Sequence, residues 1–155
     1  MSLSDDIHQW KGPFKSPSAA ELGDRLAVSQ LVKIYALGID MHDYELCRSA
    51  FADGAQMIGS MGSGDVDEIL RKTYDGAQNF MATQHNITNQ HVTIDGDEAL
   101  VWSYAIAVHK SKEGSGREDL TMGVQYRDTC RRFPNGWLIV QRRVAPQWAE
   151  RTGPR

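Results

Sequence analysis

Two hydrophobic periods divide the chain. Up to about residue 80 apolar side chains recur at three-and-four spacing, and from Thr83 onward they recur every second residue. The longest helical pattern runs from Asp24 to Met41, where Val28, Leu31, Val32, Tyr35, Gly38 and Ile39 fall on one face. That face is expected to be buried, which directs Tyr35 inward with a hydroxyl that needs a partner. Asp40 lies about 140° round the wheel from Tyr35, on the polar side with Ser29 and Lys33. Gly38 marks a point where the helix can loosen, and loosening there turns Asp40 toward the interior. Asp43 reads as the cap of a short second helix in which Tyr44, Cys47 and Phe51 share a face. FADGAQMIGS reads as a turn and a brief strand, and GSMGSG as a flexible loop. Asp65 and Glu68 have the spacing of a capping box at the start of a third helix. Its buried stripe is Val66, Ile69, Leu70, Thr73, Ala77 and Phe80.

The alternating half predicts strands at 83–95, 98–110, 119–133 and 137–147, with turns at Asp95–Asp97, Lys112–Gly116 and Pro134–Gly136. Helices followed by a long meander indicate the α+β class, a curved antiparallel sheet wrapped on three N-terminal helices. A three-residue turn in the last hairpin would oppose Phe133 and Trp137. Cys130 would then face Val140, Tyr126 would face Val144, and Asp128 would face Arg142, all on one otherwise apolar side. The spacing therefore predicts a charged pair inside the sheet. A structural ion pair and an arginine that holds a substrate oxygen are both compatible with that placement.

At 155 residues the chain suits one domain. Residues 1–17 read as an N-terminal arm, with Ile7, Trp10 and Phe14 free to pack on their own domain or on a neighbouring subunit. Residues 18–150 form the domain and 151–155 a flexible tail. A net charge of −3 without a basic run gives no reason to expect nucleic acid or membrane as a partner. No apolar run approaches a membrane span, and the start has no secretory pattern, so the chain reads as cytoplasmic. Cys47 and Cys130 are expected as buried free thiols.

Among the five histidines, His8 and His42 fall in segments expected to be exposed. His85 and His91 share one strand parity while Val92 and Ile94 have the other. Either those histidines face outward or a bulge reverses the strand. His109 shares its face with Val101, Ser103, Ala105 and Ala107, small side chains that leave room for a helix or ligand. No HxH pair, HExxH helix or cysteine pair suggests a metal, and no GxSxG elbow or phosphate-binding loop appears. No cofactor is expected.

Three segments, LVKIYALGIDMHDYELCRSAFADGA, HNITN and GVQYRDTCRRFPNGWLIVQRR, resemble the SnoaL-like branch of the nuclear-transport-factor-two-like superfamily over roughly residues 20–148. The resemblance implies a cone-shaped barrel of the cystatin-like kind around one deep pocket, and a homodimer or homotrimer. Within the superfamily the chain is most similar to lyases such as hexachlorocyclohexane dehydrochlorinase, bile-acid dehydratase and scytalone dehydratase. Asp40 and His85 match their helix-end aspartate and the histidine it orients as base. Tyr35 matches a tyrosine of bile-acid dehydratase. Arg142 matches an arginine five residues beyond the last-strand tryptophan. Met57 stands where the dehydrochlorinase has tryptophan, and Tyr35 where it has lysine, which argues against halide elimination. The resemblance thus implies a cofactor-independent dehydratase acting on a small hydrophobic cyclic molecule, with His85, Asp40, Tyr35 and Arg142 as its chemistry. Met57, Asn89, Tyr104, His109, Tyr126 and Asp128 would wall the pocket. Proton transfer without loss of water, as in polyketide cyclases and ketosteroid isomerases, is the competing enzyme class. A non-catalytic binding or oligomerisation module, including the small subunit of a ring-hydroxylating oxygenase, is the third.

Overall fold

Three helices precede or interrupt the first strands, and six strands form one sheet. A computed structural model describes residues 10–154. The elements are α1 (Ala19–Asp40), α2 (Tyr44–Arg48), β1 (Phe51–Gly59), β2 (Gly62–Asp65), α3 (Val66–Ala77), β3 (Ala82–Asp95), β4 (Glu98–Lys110), β5 (Glu118–Phe133) and β6 (Gly136–Pro154). The strand order is β2-β1-β6-β5-β4-β3, so the curved sheet is open, with β2 and β3 as its edges. Four of the five pairings are antiparallel; β1 joins β6 in parallel, as Met57 opposite Arg142 shows. No helix of the described residues is long and apolar enough to cross a membrane.

α1 starts where Ser18 accepts from the Glu21 amide, an N-cap bond that satisfies one of the orphan donors of the first turn. It buries Val28, Leu31, Val32, Tyr35, Ala36, Gly38 and Ile39, the apolar stripe legible in the sequence. Gly38 does not loosen the helix. It is there for close approach: a Cβ on it would lie 2.5 Å from both the Cys47 amide nitrogen and Sγ, so only glycine lets the start of α2 sit against α1. Asp43 caps α2 through the Leu46 amide. Asp65 caps α3 through the Asp67 amide, but the second half of the expected capping box is missing, because Glu68 pairs with Lys72 instead. GSMGSG is a tight hairpin between β1 and β2, with Gly62 at φ +128, rather than a loose loop.

The final hairpin turns through Pro134 and Asn135, one residue tighter than expected. Phe133 faces Gly136, and Cys130 faces Ile139 instead of Val140. A bulge at Val140 then restores the anticipated register, so Asp128 does face Arg142 and Tyr126 does face Val144. A second bulge at Gln147 sets Ala149 opposite Met122 and Arg151 opposite Leu120. Residues 151–154, expected as a tail, continue β6.

Of the arm, residues 1–9, including Ile7 and His8, lie outside the described residues. Trp10 packs on the outer side of its own sheet, donating to Thr93 Oγ1 at 3.1 Å and lying against His91 and Trp102.

Candidate active site

β3 carries one extra residue between Ile87 and Gln90 relative to β4, and the bulge exchanges the faces of the strand. Before it, Thr83, His85 and Ile87 point to the helix-covered side. After it, Val92 and Ile94 do so, and His91 is left outside with Trp10. This resolves the parity conflict in favour of an inward His85.

The last residue of α1 meets that edge strand. Asp40 Oδ1 accepts the His85 ring Nδ1–H at 2.7 Å and the Thr83 hydroxyl at 2.8 Å, while Oδ2 accepts the His85 backbone N–H at 2.8 Å. Burial alone would raise the Asp40 pKa, but these hydrogen bonds outweigh it and hold the carboxyl below its usual range. With Nδ1 committed as a donor, Nε2 of His85 keeps its lone pair. The His85 side chain is only 6% exposed and borders a cavity of about 370 Å³.

Around that cavity stand Tyr35, Ile39, Met57, Phe80, His109 and Tyr126, with Met122 and Val144 filling the apolar wall. Tyr35 lies edge-on to His85, ring centres 6.4 Å apart, and edge-on to Tyr126 at 5.7 Å. Burial pushes the Tyr35 phenol up to about 12 and the Tyr126 phenol well above its ordinary value. His109 sits 5.7 Å from His85 between ring centres, and its Nδ1 donates to the Leu120 carbonyl at 3.3 Å. Since a carbonyl only accepts, Nε2 of His109 is the unprotonated nitrogen. Burial, and then the neighbouring His85, keeps His109 below the ordinary histidine range and hence neutral.

Four expected site residues are placed elsewhere. Arg142 is 0% exposed and does not border the cavity. Its Nε and Nη2 donate to the two oxygens of Asp128 at 2.7 Å each, and its guanidinium lies 4.4 Å from the Tyr35 ring centre and 4.9 Å from that of Tyr126. The pair is therefore a buried strut beneath the two tyrosines, out of a substrate's reach. Asn89 and Tyr104 are also corrected: they border a separate groove on the outer side of the sheet with Gly123 and Trp148. The β3 bulge puts Asn89 there, and even parity on β4 puts Tyr104 there, opposite the inward row Val101–His109.

Residue-by-residue reading missed Thr83, Phe80 and Arg151. Thr83 shares the parity of His85, which was the available signal. Phe80, at the end of the α3 stripe, lies 5.0 Å from the His109 ring centre. Arg151 borders the cavity only because the bulge at Gln147 turns it inward. Among the described residues no group of three or more His, Cys, Asp and Glu side chains converges as metal ligands would.

The model of the SnoaL-like domain matches residues 20–143. Uncharacterized proteins of Mycobacterium tuberculosis and Mycobacterium bovis are 30% identical over 130 residues, spanning 81% of this chain and 86% of each relative. The crystal structure of a candidate scytalone dehydratase from Novosphingobium aromaticivorans superposes with a TM-score of 0.75 at 21% identity, covering 87% of this chain and 91% of that one. A hexachlorocyclohexane dehydrochlorinase from Novosphingobium barchaimii superposes with a TM-score of 0.73 at 15% identity, covering 85% and 92%. At such identities the likeness to these two structures is one of fold.

Proposed function

The chain belongs to the SnoaL-like domain family, and we propose that it is a cofactor-independent lyase, a dehydratase, acting on a small hydrophobic cyclic substrate. The observation that carries this reading is the Asp40–His85 pair, with His85 bordering a half-open and largely apolar cavity. A carboxylate on Nδ1 selects the tautomer that leaves Nε2 basic, and it stabilises the imidazolium formed when Nε2 takes a proton. The similarity of fold to a candidate scytalone dehydratase is consistent with this chemistry.

In the proposed reaction Nε2 of His85 removes a carbon-bound proton next to a carbonyl. The electron pair of that C–H bond forms the new C=C bond as the C–O bond to the hydroxyl breaks. The departing hydroxyl takes up the proton that His85 Nε2 has just received and leaves as water, which returns the base to its neutral form, so one substrate yields one alkene and one water. Tyr35, which borders the cavity, would donate its O–H to the developing oxyanion. The unprotonated Nε2 of His109 is suited to accept the substrate's hydroxyl hydrogen and orient that group. Arg142 acts only through the tyrosines, whose ring faces it supports.

The site also favours a second reading. It contains a base and an oxyanion donor, but Tyr35, at about 12, is a weak acid for a leaving hydroxyl. Return of the proton to another carbon, an isomerisation or cyclisation without loss of water, uses the same groups. Incubation with a panel of cyclic hydroxy-ketones in deuterated water separates the readings by product mass. A dehydratase yields product lighter by one water; an isomerase yields deuterium incorporation at unchanged composition. His85→Gln should abolish either. Proton exchange unaffected by His85→Gln would sink both, and ligand binding without turnover would leave a binding module.

The homo-oligomer implied by the resemblance belongs to the same proposal. Tyr104 and Trp148, 39% and 46% exposed on the outer face of the sheet, mark the surface that a second copy would cover. A monomer by light scattering at micromolar concentration would remove that part.

A further inference from the structure

Among the described residues, Arg151 is the only Lys, Arg, Asp or Glu whose side chain borders the cavity. Arg25, Arg48, Arg131, Arg132 and Arg142 all pair with carboxylates, whereas Arg151 has no such partner among the described residues. Its strand neighbour Glu150 alternates to the other face. Asp119, across the hairpin, is held by Lys110 Nζ and by the Ser111 amide, each at 2.8 Å. A second guanidinium, that of Arg117, lies 5.3 Å from the ring centre of Phe80, another lining residue. The chemistry of the cavity is therefore graded, with a neutral apolar interior and a positively charged rim.

The register fixes how far apart the two ends are. Thr83, His109, Leu120 and Arg151 lie opposite one another in a single row across β3, β4, β5 and β6. His85 belongs to the next inward row, with Ala107, Met122 and Ala149. Three strand spacings separate the backbone of the base from that of the arginine, about 14 Å along the sheet, and both side chains reach inward from those ends. Between them the wall is formed by Ala107, Leu120 and Met122. That gap suits a body of two or so fused rings, in keeping with a cavity of about 370 Å³.

We propose that the substrate is an acid: an apolar fused-ring molecule whose carboxylate, or an equivalent anionic group, is held at the rim by Arg151. A guanidinium presents paired donors to a carboxylate, and at the edge of an apolar cavity that bond is stronger than in open water. Arg151 thus acts as a specificity residue, choosing anionic over neutral rings and setting which end of the molecule faces the base. This rests on the lyase reading for the statement that the ligand is a substrate; the anion subsite itself does not.

The test compares 2-naphthoate with its neutral isostere 2-naphthamide by titration calorimetry at pH 8, with the full chain. The wild-type protein should bind naphthoate about tenfold more tightly or better. Arg151→Gln should bring the two probes to within about twofold of each other, with naphthamide affinity and thermal midpoint unchanged, and Arg151→Lys should keep part of the preference. Because the arginine is exposed, added salt should erode the preference in the wild type. His85→Gln should leave it intact. Equal binding of the two probes to the wild type overturns the proposal, as does a preference that survives Arg151→Gln. So does a preference that disappears with His85→Gln, which would place the anion on the imidazole. Failure of both probes to bind at millimolar concentration also overturns it. A carboxylate preference that depends on Arg151, in a protein that turns over no hydroxy-ketone, would remove the lyase reading and keep this one.

Discussion

Asp40 holds His85 at two points: Oδ1 accepts the ring Nδ1–H at 2.7 Å, and Oδ2 accepts the backbone N–H at 2.8 Å. One carboxylate thus pins the edge strand to the end of α1 and selects the imidazole tautomer in the same contact. Asp40→Asn retains the shape but places an amide where a charge was. The downfield imidazole proton resonance expected from the Nδ1–H···O bond should vanish in Asp40→Asn. Turnover of any substrate found for the protein should fall by about 10²–10⁴-fold, the usual share of general-base catalysis. An unchanged downfield resonance would show that Asp40 is not its acceptor.

The buried pair Asp128–Arg142 should behave unlike the surface pairs. Asp128→Asn leaves a fully buried guanidinium without its counter-charge and is expected to cost about 3–5 kcal/mol in denaturant unfolding. The double change Asp128→Leu, Arg142→Met removes both charges and should cost much less than either single change. Equal, additive losses in a double-mutant cycle would contradict the strut.

Tyr35 and Tyr126 should be silent in a spectrophotometric phenol titration until the protein unfolds. Burial raises Tyr35 to about 12 and holds Tyr126 well above its ordinary value, while unfolded tyrosine ionises near 10. Between those values the folded state binds more protons than the unfolded one, so stability is complete below about pH 10 and falls as pH rises toward 12. Tyr126→Phe should flatten that alkaline slope. If all five tyrosines of the chain ionised together near pH 10 in folded protein, the two phenols would not be buried.

Gly38→Ala would ordinarily favour a helix, by about 1 kcal/mol. Here the new methyl would lie 2.5 Å from Cys47 Sγ and its backbone nitrogen, so a net loss of about 1–3 kcal/mol is expected from overpacking. Chemical denaturation measures it. A stabilised Gly38→Ala protein would show that α2 can move away freely.

His109 supplies an acid-side counterpart. Its folded value lies below that of the unfolded residue, because burial and His85 disfavour the cation. Its contribution to stability is therefore present above about pH 6.5 and lost as pH falls through the folded value. His109→Gln should lessen the acid loss of stability, and a thermal-midpoint profile against pH reads the difference directly.

Much of the site was legible before the tertiary structure. Tyr35 lies on a regular apolar stripe, and the Asp128–Arg142 contact follows from hairpin arithmetic once one face is required to be apolar. That arithmetic was off by a residue at the turn and came right only because Val140 bulges. The roles of Asp40 and His85 came from resemblance, since the helical wheel and strand parity both pointed them outward. Arg142 was misjudged for a different reason. Strand parity separates inside from outside but cannot tell a residue at the cavity wall from one packed behind two aromatic rings.

What the sequence by itself determined were the elements and their order: the three helices, with the caps of the second and third, the four long strands, and the buried faces between bulges. These follow from local spacing and short-range hydrogen bonds, which a chain carries wherever it goes. Which functional side chains meet was decided only in the tertiary structure. Each bulge adds one unpaired residue and reverses every side chain beyond it, so His85 faces in while His91 faces out, and Arg151 reaches the cavity rim. Asp40 finds His85 because the end of α1 lies beside the edge strand. That proximity joins residues 45 positions apart and has no local periodicity to announce it.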